Sequence, residues 1–367
     1  MRATVVSSAR WSSFRLSKHF IALALAAQGH DVLFVDPPVS PLSVVRSPQR
    51  RRELLGPSDE RPAANLRVWH PRVLAPQSHP AVRAVNDRLI ARGIARRQDP
   101  DVVLAFGLEA RGVLPRLPAP RLYHCTDSIE DLPGQAGARH HEEIVIAAAD
   151  AVTACSLPLT EQLRARGVDA SYVPHGCDED AFASRGEDPP ELRGRPRPWV
   201  GYVGSLNFRI DADMLDAARR ATGGGTLVVV GGAFGPALDP AARALLAQDD
   251  VAVLGHQPAE RLPALTAALD VGLAPYGDHP FNRKSFPIKI PQYLAAGVPV
   301  VSTPNGATDE LGDAVAIADD TSTFGDAVRA ALAAADDEHA REARRAVARR
   351  RPWSTVANEL LRAASAT

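Results

Sequence analysis

The sequence predicts an α/β protein made of two doubly wound, Rossmann-like domains facing each other across a cleft. Three observations lead there. The chain has 367 residues, more than one ordinary core accommodates. Short apolar runs alternate with helical segments, the pattern of a parallel sheet covered on both faces. The alternation then restarts once, after the Pro- and Arg-rich stretch EDPPELRGRPRP.

In the first half, strands are expected at residues 4–8 (TVVSS), 31–36 (DVLFVD), 101–107 (DVVLAFG), 121–127 (RLYHCTD) and 151–156 (AVTACS), each ending in small or polar residues. Residues 18–29, KHFIALALAAQG, read as an apolar helix closed by Gly29. In the second half, strands are expected at 199–205 (WVGYVGS), 226–232 (TLVVVGG), 251–255 (VAVLG), 271–276 (VGLAPY) and 298–303 (VPVVST). The first domain is expected to span 1–187 and the second 188–350, joined near residues 186–198.

Composition narrows the class. With 45% hydrophobic and 23% charged residues and no run of 18 apolar residues, the chain reads as soluble and globular. The start MRATVVSSARWSS lacks a secretory signal, so a cytoplasmic location is expected. Cys125, Cys155 and Cys177 form no CxxC, and buried thiols are expected rather than disulfides or a zinc site. Charge is uneven: up to Arg121 there are 19 Lys and Arg against 9 Asp and Glu, although the whole chain carries −1. Arg50, Arg51, Arg52, Arg88, Arg92, Arg96 and Arg97 supply much of that excess. They suit an anionic phospholipid surface or a phosphorylated acceptor, and equally a solvated Arg-rich face. Nucleic acid is disfavoured, because no aromatic and basic residues interleave.

Ligands of such sheets bind at the carboxyl ends of the strands. No GxxxxGK[ST] occurs, and neither GYVGS nor GGAFG gives a GxGxxG opening a helix, which disfavours P-loop and NAD enzymes. Residues 282–297, NRKSFPIKIPQYLAAG, hold two of the three lysines in a chain with 42 basic residues. A lysine kept against such an arginine bias suggests a place where a compact ammonium is needed. Pro291 has no N–H and belongs in a first helical turn, which puts Lys289 and Gln292 at a helix N-terminus, where free N–H groups and the dipole favour a diphosphate.

In order and spacing the chain resembles the GT-B fold nucleotide-sugar glycosyltransferases, especially bacterial enzymes of polysaccharide and teichuronic-acid assembly. The resemblance runs through AAQGHDVLFVDPP, YHCTDSIEDLPG, VPHGCDEDAF, GYVGSLNFRID, VAVLGHQPAERLPAL, DVGLAPY, PIKIPQYLAAGVPVVST and PWSTVANELLRA. It implies that residues 351–367 form a helix crossing back to the first domain. It implies a nucleotide diphosphate-sugar donor, such as a UDP-sugar, as co-substrate rather than cofactor, and no metal. Many relatives carry Glu where this chain has Gln292, on the donor ribose; the Lys and Gln arrangement here is similar to xanthan glucuronosyltransferases. The donor is then expected to meet Gly204, Ser205, Arg209, His256, Tyr276, Lys289 and Gln292. Gly204 and Ser205 would let backbone approach the phosphates, and His256 and Tyr276 would flank base or phosphates.

The acceptor, expected to be a glycan, a lipid-linked sugar or a small molecule, falls to the loop WSSFR with Trp11, Ser12 and Arg15. Asp127, closing RLYHCTD beside Ser128, Glu130 and Asp131, is the candidate base for inverting transfer, against the alternative of a strand-end Asp capping the next helix. The triplets DED (178–180) and DAD (211–213) resemble metal-binding spacings but read as accidental here. HHEE (140–143) reads as an exposed helix, since adjacent helical residues diverge. A nucleotide-sugar 2-epimerase or a non-catalytic sugar-nucleotide-binding protein shares the architecture and remains the alternative.

Overall fold

In the computed structural model the chain is described over residues 1–12, 14–41, 54–76, 78–134, 137–183, 186–232, 239–335 and 337–366. Arg50, Arg51, Arg52 and the Ser13 of the WSSFR loop lie outside the described residues. The chain divides into two compact units, Met1–Pro174 with Trp353–Thr367, and His175–Pro352.

The first unit contains β1 (Arg2–Val6), α1 (Ser17–Ala27), β2 (Asp31–Val35), β3 (Asp59–Ala63), β4 (Leu66–Trp69), α2 (Pro80–Arg97), β5 (Val102–Ala105), β6 (Arg121–Cys125), α3 (Ala138–Ala148), β7 (Ala151–Ala154), α4 (Leu157–Ala165) and β8 (Ala170–Tyr172). Its eight strands run in the order β3-β4-β2-β1-β5-β6-β7-β8, parallel except where β3 meets β4. The central strands are buried along nearly their whole length, as a sheet covered on both faces requires. From β1 the winding runs one way to β2 and the other way to β5, with Ala3 to Val6 registered on Val102 to Ala105. That reversal opens a crevice outside the carboxyl ends of β1 and β5, next to Ser8 and Gly107.

The second unit contains α5 (Glu179–Phe182), β9 (Trp199–Val203), α6 (Ala212–Ala221), β10 (Thr226–Val230), α7 (Pro240–Leu246), β11 (Val251–Gly255), α8 (Leu262–Ala267), β12 (Val271–Ala274), α9 (Pro280–Lys284), α10 (Lys289–Ala295), β13 (Val300–Ser302), α11 (Thr308–Leu311), β14 (Val315–Ile317), α12 (Thr321–Ala333) and α13 (Glu338–Arg349). The sheet order is β11-β10-β9-β12-β13-β14, all parallel, and the winding reverses between β9 and β12. Asp211 of the DAD triplet is the N-cap of α6, accepting from the Asp213 and Met214 amides at 2.9 and 3.0 Å.

The last helix, α14 (Trp353–Ser365), belongs to the first unit, where Trp353 stacks on Phe20 of α1 at 5.3 Å. No described helix is long and apolar enough to cross a membrane.

Three readings need correction. The chain leaves the first unit at Pro174/His175 and returns at Pro352/Trp353, so the first boundary is not at 187/188 and residues 186–198 are no linker. The Cys177 amide donates to the Arg351 carbonyl at 3.0 Å, and Phe182 and Leu192 are buried in the second unit's core, which ties this segment down. Strands β3, β4, β8 and β14 were not expected. β3, DERPA, carries charge and Pro62 because it is an edge, and β8 and β14 have three residues each. Within the basic excess, Arg97 is engaged locally: it pairs with Asp59 at 2.6 Å and lies 4.3 Å over the Trp69 ring.

Candidate active site

Two cations without a described acidic partner, Lys289 and Arg209, lie at the winding reversal of the second unit. β9 ends at Val203, and Gly204 follows with φ +151°, a conformation that side chains with a Cβ rarely adopt. A Cβ there would sit 2.6 Å from the Lys289 Nζ, so the ammonium lies directly against this backbone. The Gly204 amide is spent on the Val230 carbonyl at 2.8 Å, whereas the Ser205 carbonyl is held by the Tyr202 hydroxyl at 2.8 Å. Tyr202 thus braces the loop and offers its ring to Lys289, whose Nζ is 4.0 Å from the centroid.

Arg209 enters from the same loop. Its Nε donates to Asn282 Oδ1 at 3.0 Å, and its guanidinium lies 4.8 Å from the Tyr276 ring and 4.9 Å from Phe281. Asn282 is buried and also donates to the Arg209 and Gly277 carbonyls at 3.0 and 2.8 Å, which clamps the arginine in place. The Arg209 Nη2 is buried without a partner. No described carboxylate reaches ion-pairing distance of Arg209 or Lys289. Burial first, and Arg209 second, push the Lys289 ammonium well below its ordinary proton affinity.

Helix α10 holds Lys289 under the sheet through Tyr293. The Tyr293 hydroxyl accepts from the Val203 amide at 2.8 Å and donates to the Leu273 carbonyl at 3.3 Å, which pins the helix to β9 and β12 together. Pro291 lies in the first turn and Gln292 is half-buried one turn beyond Lys289. The helix end itself contributes less than expected. The Ile290 amide already donates to Pro287 and Pro291 has none, and the helix has only seven residues, so the two side-chain cations carry the charge.

Two other expected donor residues sit differently. Tyr276 is 3% exposed, its amide on Thr303 Oγ1 at 3.1 Å and its ring beneath Arg209, so it supports the cations and presents no free face. His256 is exposed and follows β11, two strands from β9, and does not join the Lys289 and Arg209 cluster. Asn282, Tyr202 and Tyr293 went unassigned in the sequence. Asn282 opens the lysine-bearing stretch, and that adjacency was the signal available. Lys284 ends α9 and is half-buried.

In the first unit, Asp127 follows β6, half-buried, accepting from Thr126 Oγ1 at 3.0 Å. It caps nothing: the next 3-10 turn, Ile129–Asp131, starts from Ser128 without a side-chain cap. Its acidic neighbours are engaged elsewhere, Glu130 with Gln162 at 2.8 Å and Asp131 with Ser128. The third lysine, Lys18, is 4% exposed with its ammonium on Ser8 Oγ at 2.6 Å. Burial lowers its proton affinity, while Asp127 and Glu109 act in the opposite direction.

Trp11 does not present its ring to an acceptor. It is 6% exposed, packed 5.0 Å from Phe34 and 5.4 Å from His19, and its amide is held by the buried Asp36 at 2.8 Å. Arg15 lies 4.4 Å over that ring, and Ser12 is exposed. Of the two, Ser12 faces outward, while Arg15 is half-buried with its Nη1 donating to the Trp11 carbonyl at 3.3 Å.

Two family models match. Residues 19–181 match Glycosyltransferase Family 4 and residues 197–334 match Glycosyl transferases group 1. The chain belongs to the GT-B glycosyltransferases. The chain is 25% identical over 228 residues to a Bacillus subtilis (strain 168) protein named for glycosyl transfer in teichuronic acid biosynthesis, TuaH. That alignment spans 59% of this chain and 57% of the relative, so somewhat over half of each. Among solved structures, its fold is similar to sucrose-phosphate synthase from Thermosynechococcus elongatus, with TM-score 0.74, 17% identity and coverage of 98% and 97%. It is likewise similar to HepE of Anabaena in complex with UDP and glucose, with TM-score 0.72, 16% identity and both chains fully covered. An α,α-trehalose-phosphate synthase from Burkholderia vietnamiensis gives TM-score 0.72 at 15% identity, covering 100% and 99%.

Proposed function

We propose that this chain transfers a glycosyl group from a UDP-sugar to a hydroxyl of a glycan, lipid-linked or small-molecule acceptor. The observation that carries the reading is a pair of cations with no described carboxylate in ion-pairing distance at the winding reversal of the second sheet, Lys289 against Gly204 and Arg209 over Tyr276 and Phe281. Such a pair is unfavourable in the empty protein and favourable around a diphosphate. HepE, of the same fold, has been crystallised with UDP and with UDP-glucose, which supports the nucleoside diphosphate as occupant.

In this reading Lys289 and Arg209 neutralise the diphosphate as it departs, the Ser205 loop approaches it with backbone, and Gln292 bonds the ribose hydroxyls. Asp127 takes the proton of the acceptor hydroxyl, whose oxygen attacks the anomeric carbon while the bond to the diphosphate oxygen breaks, with inversion. The two cations supply the charge that a divalent metal would otherwise bring, and transfer is expected to persist in EDTA. The protein works in the cytoplasm. The outer face of α2, with exposed Arg88, Arg92 and Arg96 beside Val85 and Leu89 at 40% and 44% exposure, suits peripheral contact with an anionic membrane.

The test is calorimetric titration with UDP. Lys289→Ala should weaken binding by about tenfold or more, and Lys289→Arg should restore only part of it, because a fork cannot occupy the space of a compact ammonium against Gly204. Unchanged UDP affinity in a folded Lys289→Ala variant overturns the assignment.

A further inference from the structure

The reading above leaves unused a second cluster of positive charge, at the carboxyl edge of the first sheet beside β5 and β6. Three separate segments build it. Arg83 lies in the first turn of α2. Arg111 and Arg116 follow β5, the first after the 3-10 turn Leu108–Ala110 and the second ending the turn Leu114–Arg116. His140 and His141 lie in the first turn of α3. α3 packs against both turns, and α2 against the second. Because α2 leads into β5 and α3 into β7, both helices run against the strands and bring their N-terminal ends to this edge.

Few acids oppose these groups. Asp87 stands among Arg83, Arg111 and Arg116, pressed so close to the chain that a Cβ at Gly112 would sit 1.8 Å from its Oδ2. Glu109 is the other carboxylate acting on Arg111. On α3, Glu142 and Glu143 are taken by Arg166 and Arg139, at 2.5 and 3.2 Å. The cluster remains unfavourable despite its two acids: burial and then Arg83 lower the proton affinity of Arg111. Burial, then Arg111, Arg83 and His140, hold His141 below its ordinary value, and its Nδ1 is buried without a partner. Like charges gathered against their own solvation mark a place completed by an anion.

We propose that Arg83, Arg111 and His141 bind a phosphoryl group carried by the acceptor. Three guanidinium groups around one carboxylate suit a dianion better than a singly charged carboxylate, and planar arginine forks match phosphate oxygens. The proposal names the acceptor class of the transferase described above and rests on that reading, yet its binding test is independent of transfer. Such a phosphate could belong to a soluble sugar phosphate or to a lipid-linked phosphate.

The experiment uses the full chain saturated with UDP, so that Lys289 and Arg209 are occupied. One arm titrates inorganic phosphate and glucose 6-phosphate by ³¹P NMR. The other measures co-sedimentation with phosphatidylcholine vesicles with and without phosphatidic acid. Arg83→Gln and Arg111→Gln should each weaken phosphate binding about tenfold, the equivalent of ~1.4 kcal/mol, with UDP affinity unchanged. Arg111→Lys should keep part of the affinity, and His141→Gln provides a milder variant should Arg111→Gln fail to fold. Loss confined to the soluble arm assigns a soluble phosphate, and loss confined to the vesicle arm a lipid phosphate; either supports the site. Absence of phosphate binding by the parent protein in both arms, or equal binding by parent and variants, overturns it. Loss of UDP binding by the parent would instead strike the donor reading alone.

Discussion

Gly204→Ala tests whether the proposed donor site depends on contact between the loop after β9 and Lys289. The new methyl would lie 2.6 Å from Nζ, 3.0 Å from Cε and 3.1 Å from the Tyr202 hydroxyl. Ordinary carbon contacts begin near 3.5 Å, so the ammonium must retreat by about 1 Å. The φ of +151° adds strain of about 1–3 kcal/mol for a residue with a Cβ. A cost of about 2 kcal/mol lowers Tm by roughly 4–8 °C for a unit of this size. Displacing Lys289 should weaken UDP binding at least about tenfold. Gly223→Ala is the control for strain alone, since its φ is +64° and nothing lies within 4 Å of the added carbon. A double-mutant cycle separates the two effects: in a Lys289→Ala background the same methyl should still lower Tm but cost little further UDP affinity. The assays are calorimetric titration and thermal melting. UDP affinity equal to the parent in a folded Gly204→Ala protein would refute the contact as the basis of the site.

Three further outcomes are expected. Lys289→Met should lose UDP binding yet raise Tm of the ligand-free protein by roughly 2–4 °C at neutral pH. The folded-state proton affinity of Lys289 is depressed, so its charging cost is fully present below that folded value; the gap between variant and parent should close as pH rises toward about 10.4. Asp127→Asn should leave UDP affinity intact and lower the transfer rate by at least about a hundredfold; near-parent transfer by a folded variant removes Asp127 as base and favours retention. Asp36→Asn should cost about 1–3 kcal/mol in urea melts below pH 6.5, because Asp36 holds both the Trp11 amide and His70 Nδ1 at 2.8 Å. Asp36 raises the proton affinity of His70, so in the parent this increment is fully present below about pH 6.5 and is lost as pH rises through the raised folded value. A pH-independent difference between variant and parent would rule this out.

Much of the architecture was legible because buried parallel strands are continuous apolar runs, readable one segment at a time. DVLFV, TLVVV and VAVLG appear where expected for that reason. Lys289 was legible too, through an arginine bias that left three lysines in the whole chain. Burial of individual polar and aromatic residues was not. WSSFR looks like an open loop, and only the pairing of Asp36 with the Trp11 amide, 25 residues apart, turns its tryptophan inward.

By itself the sequence determined the two-sheet class, the restart after the first half, the strand-end glycine at 204 and the presence of a lysine near a helix start. Tertiary structure decided which of these meet. Gly204 and Lys289 are separated by 85 positions and touch because Tyr293 pins α10 across β9 and β12. Arg209 joins the candidate site through Asn282, 73 positions away, and Arg83, Arg111 and His141 share one edge because the first turns of α2 and α3 and the segment after β5 come to it. Local periodicity records which face of an element is buried, whereas contacts between distant segments depend on strand order, which the chain specifies only by packing as a whole.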